Sequence, residues 1–231
     1  MVSIRFSFAS IHRYRSIIRK MKINFLGDSI TEGCLASRYE KTFVYLVGEK
    51  GGFLVRNYGI GGTRFAKQRI PSKEKKYDRY FASRVEEMDH DADFVFVFGG
   101  TNDYGHGDAP FGKIGDQTPD TFYGAIVDLI QKLLNHYRKE QIIFILPIYR
   151  VNEDSPWGDG SRKSPCLPLS EYRKAISEVV ASFGIRVLDI KDEIGKAEKN
   201  PLIKDGLHPN DKGHEKIADL IVDYIKTVLS K

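Results

Sequence analysis

Cysteine is scarce in this chain and long apolar runs are missing. Among 231 residues only Cys34 and Cys166 are cysteines. They lie far apart and neither belongs to a C-x-x-C pair, which excludes a disulfide framework, a metal knuckle and a redox dithiol. No stretch approaches the ~20 apolar residues of a membrane span, so no integral membrane segment is expected. Internal repeats, Ser/Gly linkers and low-complexity tracts are also missing. With 41% hydrophobic and 29% charged residues, 14 Phe and 12 Tyr, the composition is that of a folded soluble protein large enough to bury a full core.

Acid is missing from one place. The first 20 residues carry Arg5, Arg13, Arg15, Arg19 and Lys20 without a single Asp or Glu, so the net charge of +5 belongs to them. From Met21 onward, 31 basic residues face 31 acidic ones. A neutral body offers no broad cationic face for a phosphate backbone, and no nucleic-acid partner is expected. The apolar stretches of the extension are cut by Arg13, Arg15 and Arg19, which does not suit the uninterrupted core of a secretory signal and points to a cytoplasmic protein. Its Arg/Ser-rich composition also suits a transit peptide or an arm on an anionic surface. Because Met21-Lys22 opens directly onto an apolar strand pattern, a start at Met21 is the simplest reading. The division is then a basic extension over 1–21 and one domain over 22–231.

Within that domain short Val/Ile/Phe-rich runs alternate with helical patterns. Strands are predicted at Lys22–Gly27, Phe53–Tyr58, Asp93–Phe98, Gln141–Pro147 and Ile185–Ile190. Phe122, Ile126, Leu129, Ile130, Leu133, Leu134 and Tyr137 repeat with helical spacing, with Thr118 as the expected N-cap and Pro119 at the first helical position. Tyr172, Ile176, Val179, Val180 and Phe183 form a second such pattern. Ile217, Ala218, Ile221, Val222, Ile225, Val228 and Leu229 form a third, capped by Asn210 or Asp211. Strand followed by helix, five times over, specifies an α/β fold with a parallel sheet covered on both faces. Ligands of such sheets bind at the carboxyl ends of the strands, where two long loops fall, Gly99–Thr118 and Tyr149–Pro168.

Four short segments at strand ends carry candidate chemistry: Gly27-Asp28-Ser29-Ile30-Thr31, Asn57-Tyr58-Gly59-Ile60-Gly61-Gly62, Gly100-Thr101-Asn102-Asp103 and Asp205-Gly206-Leu207-His208-Pro209. Ser29 falls in a strand-to-helix turn that would expose its hydroxyl. A serine hydroxyl is a poor nucleophile until a positioned imidazole takes its proton. His208 can be that base, and Asp205, three residues earlier, can fix its tautomer. His214 falls inside the last helix and reads as a packing or capping residue. The Ser29 N–H, a glycine-loop N–H at Gly61 or Gly62, and the Asn102 amide could hold an oxyanion. The glycine loop lacks the Lys-Ser/Thr ending of a P-loop and the spacing of a dinucleotide fingerprint.

Gly27-Asp28-Ser29, the Asn57-to-Gly62 block, Gly100-x-Asn102-Asp103 and Asp205-x-x-His208 together resemble the SGNH hydrolases, also called the GDSL esterase/lipase family, over roughly Lys22 to Leu229. The resemblance implies a three-layer αβα, flavodoxin-like fold on a five-stranded parallel sheet. It also implies Ser29, Asp205 and His208 as the catalytic triad, with Ser29, Gly62 and Asn102 as the oxyanion hole. Gly-Asp-Ser-Ile stands here where the family pattern reads Gly-Asp-Ser-Leu, an apolar exchange.

The expected function is a serine acylhydrolase that needs no cofactor or metal. Its substrate would be a small-molecule or carbohydrate ester, with a short acyl group such as acetyl on a polar alcohol. No apolar lid helix marks a lipase. Asp28, Arg64, Tyr104, Tyr149 and Trp157 are the candidate substrate contacts, with aromatic faces suited to sugar rings and Arg64 able to reach an anionic group or face solvent. A lysophospholipase or thioesterase of the same family is the alternative. A non-catalytic carbohydrate-binding relative is disfavoured because Ser29, Asn102, Asp205 and His208 are all present. A metal-dependent hydrolase built on Asp103, His106, Asp108 and His208 is disfavoured because no further ligand completes the set.

Overall fold

The structure, a computed structural model, describes residues 20–196 and 199–230. Through Arg19, the basic extension and the readings attached to it lie outside the described residues. In chain order the main elements are β1 (Lys22–Gly27), α1 (Ser29–Glu32), α2 (Phe43–Gly51), β2 (Leu54–Gly59), β3 (Phe94–Phe98), α3 (Thr101–Gly105), α4 (Phe122–Leu134), β4 (Ile142–Ile145), α5 (Leu169–Ser182), β5 (Arg186–Leu188), α6 (Lys191–Ile194) and α7 (Asp211–Leu229). The five strands form one sheet in the order β2-β1-β3-β4-β5, and every neighbouring pair is parallel. This is the flavodoxin-like order, in which the topology reverses beside β1.

Side chains on a strand alternate between faces, so a strand buried on both sides splits its residues between two cores. Val95 and Val97 of β3 join Leu26 and Phe144 in one core, packed against Phe122, Ile126 and Leu129 of α4 and Tyr172 and Ile176 of α5. Phe94, Phe96 and Phe98 face the other way, joining Phe25, Ile143 and Ile145 against Phe43 and Val47 of α2 and Ile217 and Ile221 of α7. The apolar stripes read from the sequence are thus the faces that cover the sheet. No helix among the described residues is long and apolar enough to cross a membrane.

Beyond strand ends that shift by one or two residues, two details differ from the expectation. α4 begins at Phe122, capped by Thr121, whose hydroxyl accepts from the Gly124 N–H at 3.1 Å. Pro119 stays outside the helix, its carbonyl taking the Lys67 N–H at 2.8 Å, a tertiary bond that the local Thr-Pro signal does not reveal. The loop predicted from Gly99 also contains the short helix α3. At α7 the cap is Asn210, which accepts from the Lys212 and Gly213 N–H groups, while Asp211 instead binds the Ser37 N–H and hydroxyl.

His214 is fully buried, as a packing residue should be. Its Nδ1 accepts the Phe43 N–H at 3.3 Å and its Nε2 reaches the Cys34 carbonyl at 3.2 Å. Burial pulls its pKa down, so the ring that staples α2 to α7 is neutral.

Candidate active site

All four motif segments meet at the carboxyl ends of β1, β2 and β3. The last residue of β1 is Gly27, where a Cβ would lie 1.9 Å from Thr31 Oγ1 and 2.8 Å from the Phe98 carbonyl, so only glycine lets α1 turn back this closely over the strand end. Asp28 then caps α1, accepting the Ile30 N–H at 3.0 Å through Oδ1. Its other oxygen is buried without a partner. Burial is the main reason that its pKa rises to about 7. Ser29 follows, with its side chain turned to the cleft.

Ser29 Oγ lies 2.9 Å from His208 Nε2, and His208 Nδ1 lies 2.8 Å from Asp205 Oδ2. Asp205 Oδ1 accepts the backbone N–H groups of His208, at 2.7 Å, and Leu207, at 3.1 Å. Partial burial opposes ionisation of Asp205, but these amides and the His208 ring prevail and hold its carboxyl below the usual range. An ionised Asp205 accepts from Nδ1–H, which leaves the Nε2 lone pair facing the serine hydroxyl. Gly206 sits at φ +83°, so the turn that brings Asp205 back under the ring needs a residue without Cβ strain.

Opposite His208 stand two segments bolted together by side chains. Asn102 Nδ2 donates to the Thr63 carbonyl at 3.0 Å. Asp103 accepts the Phe65 and Ala66 N–H groups at 3.0 and 2.9 Å; its burial raises its pKa to about 6 despite both amides. Gly61 N–H is taken by Glu32 Oε2 at 2.9 Å, whereas Gly62, at φ +73°, donates to no group among the described residues. The Ser29 N–H and the second Asn102 amide hydrogen are likewise unengaged. Behind this wall Arg84 is buried, donating to the Tyr58 and Gly27 carbonyls at 2.7 and 3.1 Å and to Thr63 Oγ1 at 3.1 Å. It ties the ends of β1 and β2 to the glycine loop, and no sequence motif marks it.

Ser29, Gly62, Asn102 and His208 line a cleft of about 690 Å³ together with Arg64, Arg150, Lys76, Tyr77, His106 and Asp159. Of the five candidate substrate contacts, only Arg64 is among the lining residues. Asp28 lies beneath the serine as a helix cap, because its carboxylate is drawn to the Ile30 N–H. Tyr104 is 0% exposed: its hydroxyl donates to the Asn152 and Ser155 carbonyls and its ring packs on Tyr172. Tyr149 lines a separate depression with Asn152 and Glu153, under the Lys191 ammonium. Trp157 is 50% exposed and outside the cleft. Composition identified the aromatic residues of these loops but not their directions.

The four residues of the metal alternative are dispersed. Asp103 is committed to the two amides above, Asp108 accepts the Arg69 and Ile70 N–H groups, and His106 Nδ1 lies 3.1 Å from Asp159. Among the described residues, the carboxylate and imidazole atoms close enough to share an ion are those of Glu86, His90 and His136, none of which lines the cleft.

Comparison with known proteins agrees with this architecture. A protein from Lactobacillus plantarum is 28% identical, with TM-score 0.74 over 91% of this chain and 99% of its own. The lipase/acylhydrolase from Enterococcus faecalis is 25% identical, with TM-score 0.59 over 90% and 96%. Est24, a carbohydrate acetylesterase from Sinorhizobium meliloti, shares the fold at 15% identity, with TM-score 0.63 over 90% and 100%. No curated protein matches the chain. The GDSL-like Lipase/Acylhydrolase family matches residues 25–216. By that match over most of its length, with the fold seen here, the chain belongs to the GDSL-like lipase/acylhydrolase family of hydrolases.

Proposed function

We propose that this protein is a serine esterase that cleaves a short acyl group, such as acetyl, from a small polar alcohol or carbohydrate through an acyl-enzyme on Ser29. The observation that carries the reading is the aligned series Ser29 Oγ, His208 and Asp205, with contacts of 2.9 and 2.8 Å, opening onto a cleft.

His208 Nε2 takes the hydroxyl proton as Ser29 Oγ attacks the ester carbonyl. The developing oxyanion is held by the Ser29 and Gly62 N–H groups and the free Asn102 amide hydrogen. Gly61 is unsuited to that role because Glu32 already holds its N–H. Protonated His208, stabilised by Asp205, gives its proton to the departing alcohol. It then activates water to release the acid and regenerate Ser29. The Asn102–Thr63 and Asp103–Phe65/Ala66 bonds keep the donors in place before charge develops, which is where such sites gain most of their rate.

The reading of a polar alcohol rests on the hydrogen-bonding side chains that the cleft offers, Arg64, Gln68, His106 and Asp159 among them. The test is hydrolysis of 4-nitrophenyl acetate, butyrate and octanoate by the wild type and by Ser29→Ala. Acetate should be the best substrate and the variant inactive. A preference for octanoate would replace the short-acyl reading with a lysophospholipase or thioesterase one, and an active variant would remove the serine mechanism.

A further inference from the structure

Two arginines of the cleft are buried with incomplete sets of hydrogen bonds. Arg64 is 4% and Arg150 7% exposed, and neither forms an ion pair among the described residues. A guanidinium carries five N–H donors. Arg64 uses one nitrogen, donating to the Tyr77 carbonyl at 2.8 Å. Arg150 donates through Nη1 alone, to the Thr101 carbonyl at 2.9 Å and hydroxyl at 3.2 Å, and its Nε is buried with no partner. Burying a cation is unfavourable unless an anion or a full set of acceptors compensates, and here the set is incomplete. Both guanidinium groups are accordingly pulled below their ordinary range by burial.

The nearby carboxylates do not fill the gap. Glu32 holds the Gly61 N–H, and Asp159 holds the His106 ring and the Ser161 N–H and hydroxyl. Asp103, Asp108 and Asp78, whose charges act on Arg64, are bound to the Phe65, Ala66, Arg69, Ile70 and Ser72 amides, and Asp28 and Asp205, whose charges act on Arg150, hold the Ile30, Leu207 and His208 amides. The lining charges are Arg64, Arg150 and Lys76 against Glu32 and Asp159. His106 is held toward its neutral form by burial and by Arg64. The N–H groups that Arg64 and Arg150 leave unused suit the two oxygens of a carboxylate, which a guanidinium can take side by side. Both arginines are attached to the segments that carry Gly62 and Asn102, so an anion held there would lie within one small molecule's reach of Ser29.

We propose that the ester cleaved at Ser29 carries a carboxylate, which seats against Arg64 and Arg150. This rests on the serine-esterase reading and narrows its substrate to acidic esters. The carboxylate belongs either to the acyl half or to the alcohol half, and matched substrates separate the two. One pair is the mono-4-nitrophenyl ester of succinic acid and its methyl ester. The other is 4-acetoxybenzoate and its methyl ester.

In the wild type the anionic member of one pair should have at least a tenfold higher kcat/KM, the scale of a charge-assisted bidentate contact. The pair that shows it identifies the half. Arg64→Met and Arg150→Met should each bring the anionic-to-neutral ratio toward one, mainly through KM. Equal rates within both pairs in the wild type, or a ratio that survives both substitutions, would overturn the proposal while leaving the esterase intact. Should no ester be hydrolysed, calorimetry on Ser29→Ala decides with monomethyl and dimethyl succinate. Tighter binding of the monoanion supports the carboxylate site and equal binding rejects it. The wild-type pairs decide without any variant if the arginine substitutions fail to fold.

Discussion

Replacing Asp28 with Asn should stabilise the protein at alkaline pH and do so much less at acid pH. Asp28 is 1% exposed, one oxygen is satisfied by the Ile30 N–H and the other has no partner. Its pKa rises from 3.8 to about 7, mainly through burial. A carboxyl whose pKa is raised by folding contributes fully below its unfolded value, and that contribution is lost as pH rises through the folded value. At ~1.4 kcal/mol per pKa unit the loss totals roughly 4 kcal/mol, of which about 2–3 kcal/mol falls between pH 5 and pH 8. Asn keeps the Ile30 bond through its carbonyl and never ionises. In urea or thermal unfolding, the stability difference between variant and wild type should therefore shift in the variant's favour by that 2–3 kcal/mol from pH 5 to pH 8. For a domain of this size that is about 5–10 °C in Tm. A difference that is the same at both pH values, or one that moves against the variant as pH rises, would refute the reasoning. The cost of the native residue is then a property of the site: a carboxyl beneath the serine, held where it destabilises the fold.

Three other outcomes follow from the same geometry. Asp205→Asn retains an acceptor for the Leu207 and His208 amides but favours the wrong imidazole tautomer, and kcat should fall by about 10³ to 10⁴ with little change in KM. Gly62→Ala would place a Cβ 3.1 Å from the Tyr77 ring at φ +73°; strain of about 1–2 kcal/mol should appear in unfolding, with kcat reduced about 10²-fold as the N–H is displaced. Arg84→Met removes bonds to Gly27, Tyr58 and Thr63 and should cost about 2–4 kcal/mol in urea denaturation, since two buried acceptors and a part-buried one lose their donor.

What could be read from the sequence was what is local. The strand runs at Lys22 and Asp93 match β1 and β3 to within a residue, because a strand buried on both faces is a contiguous apolar string. The Phe53–Tyr58 run is displaced one residue from β2, and the runs from Gln141 and Ile185 overshoot β4 and β5 by one residue at the start and two at the end. Ser29, His208 and Asp205 could be proposed together from the sequence because Asp205 and His208 share one turn and Ser29 opens a helix. Their meeting across the sheet follows from topology. The directions of side chains were not legible. Tyr104, Tyr149 and Trp157 have the same loop-like surroundings in sequence, yet one is core, one sits over a neighbouring depression and one is in solvent. Arg84 was invisible for the converse reason: charge in a sequence predicts exposure, and it is buried.

The central claim is that Ser29 is the nucleophile, and covalent trapping tests it most directly. After reaction with a fluorophosphonate and digestion, mass spectrometry should find one adduct, on the peptide containing Ser29, with loss of 4-nitrophenyl acetate hydrolysis in proportion to labelling. Ser29→Ala should neither label nor hydrolyse. An adduct on another residue, or an enzyme still active when Ser29 is fully modified, would contradict the account.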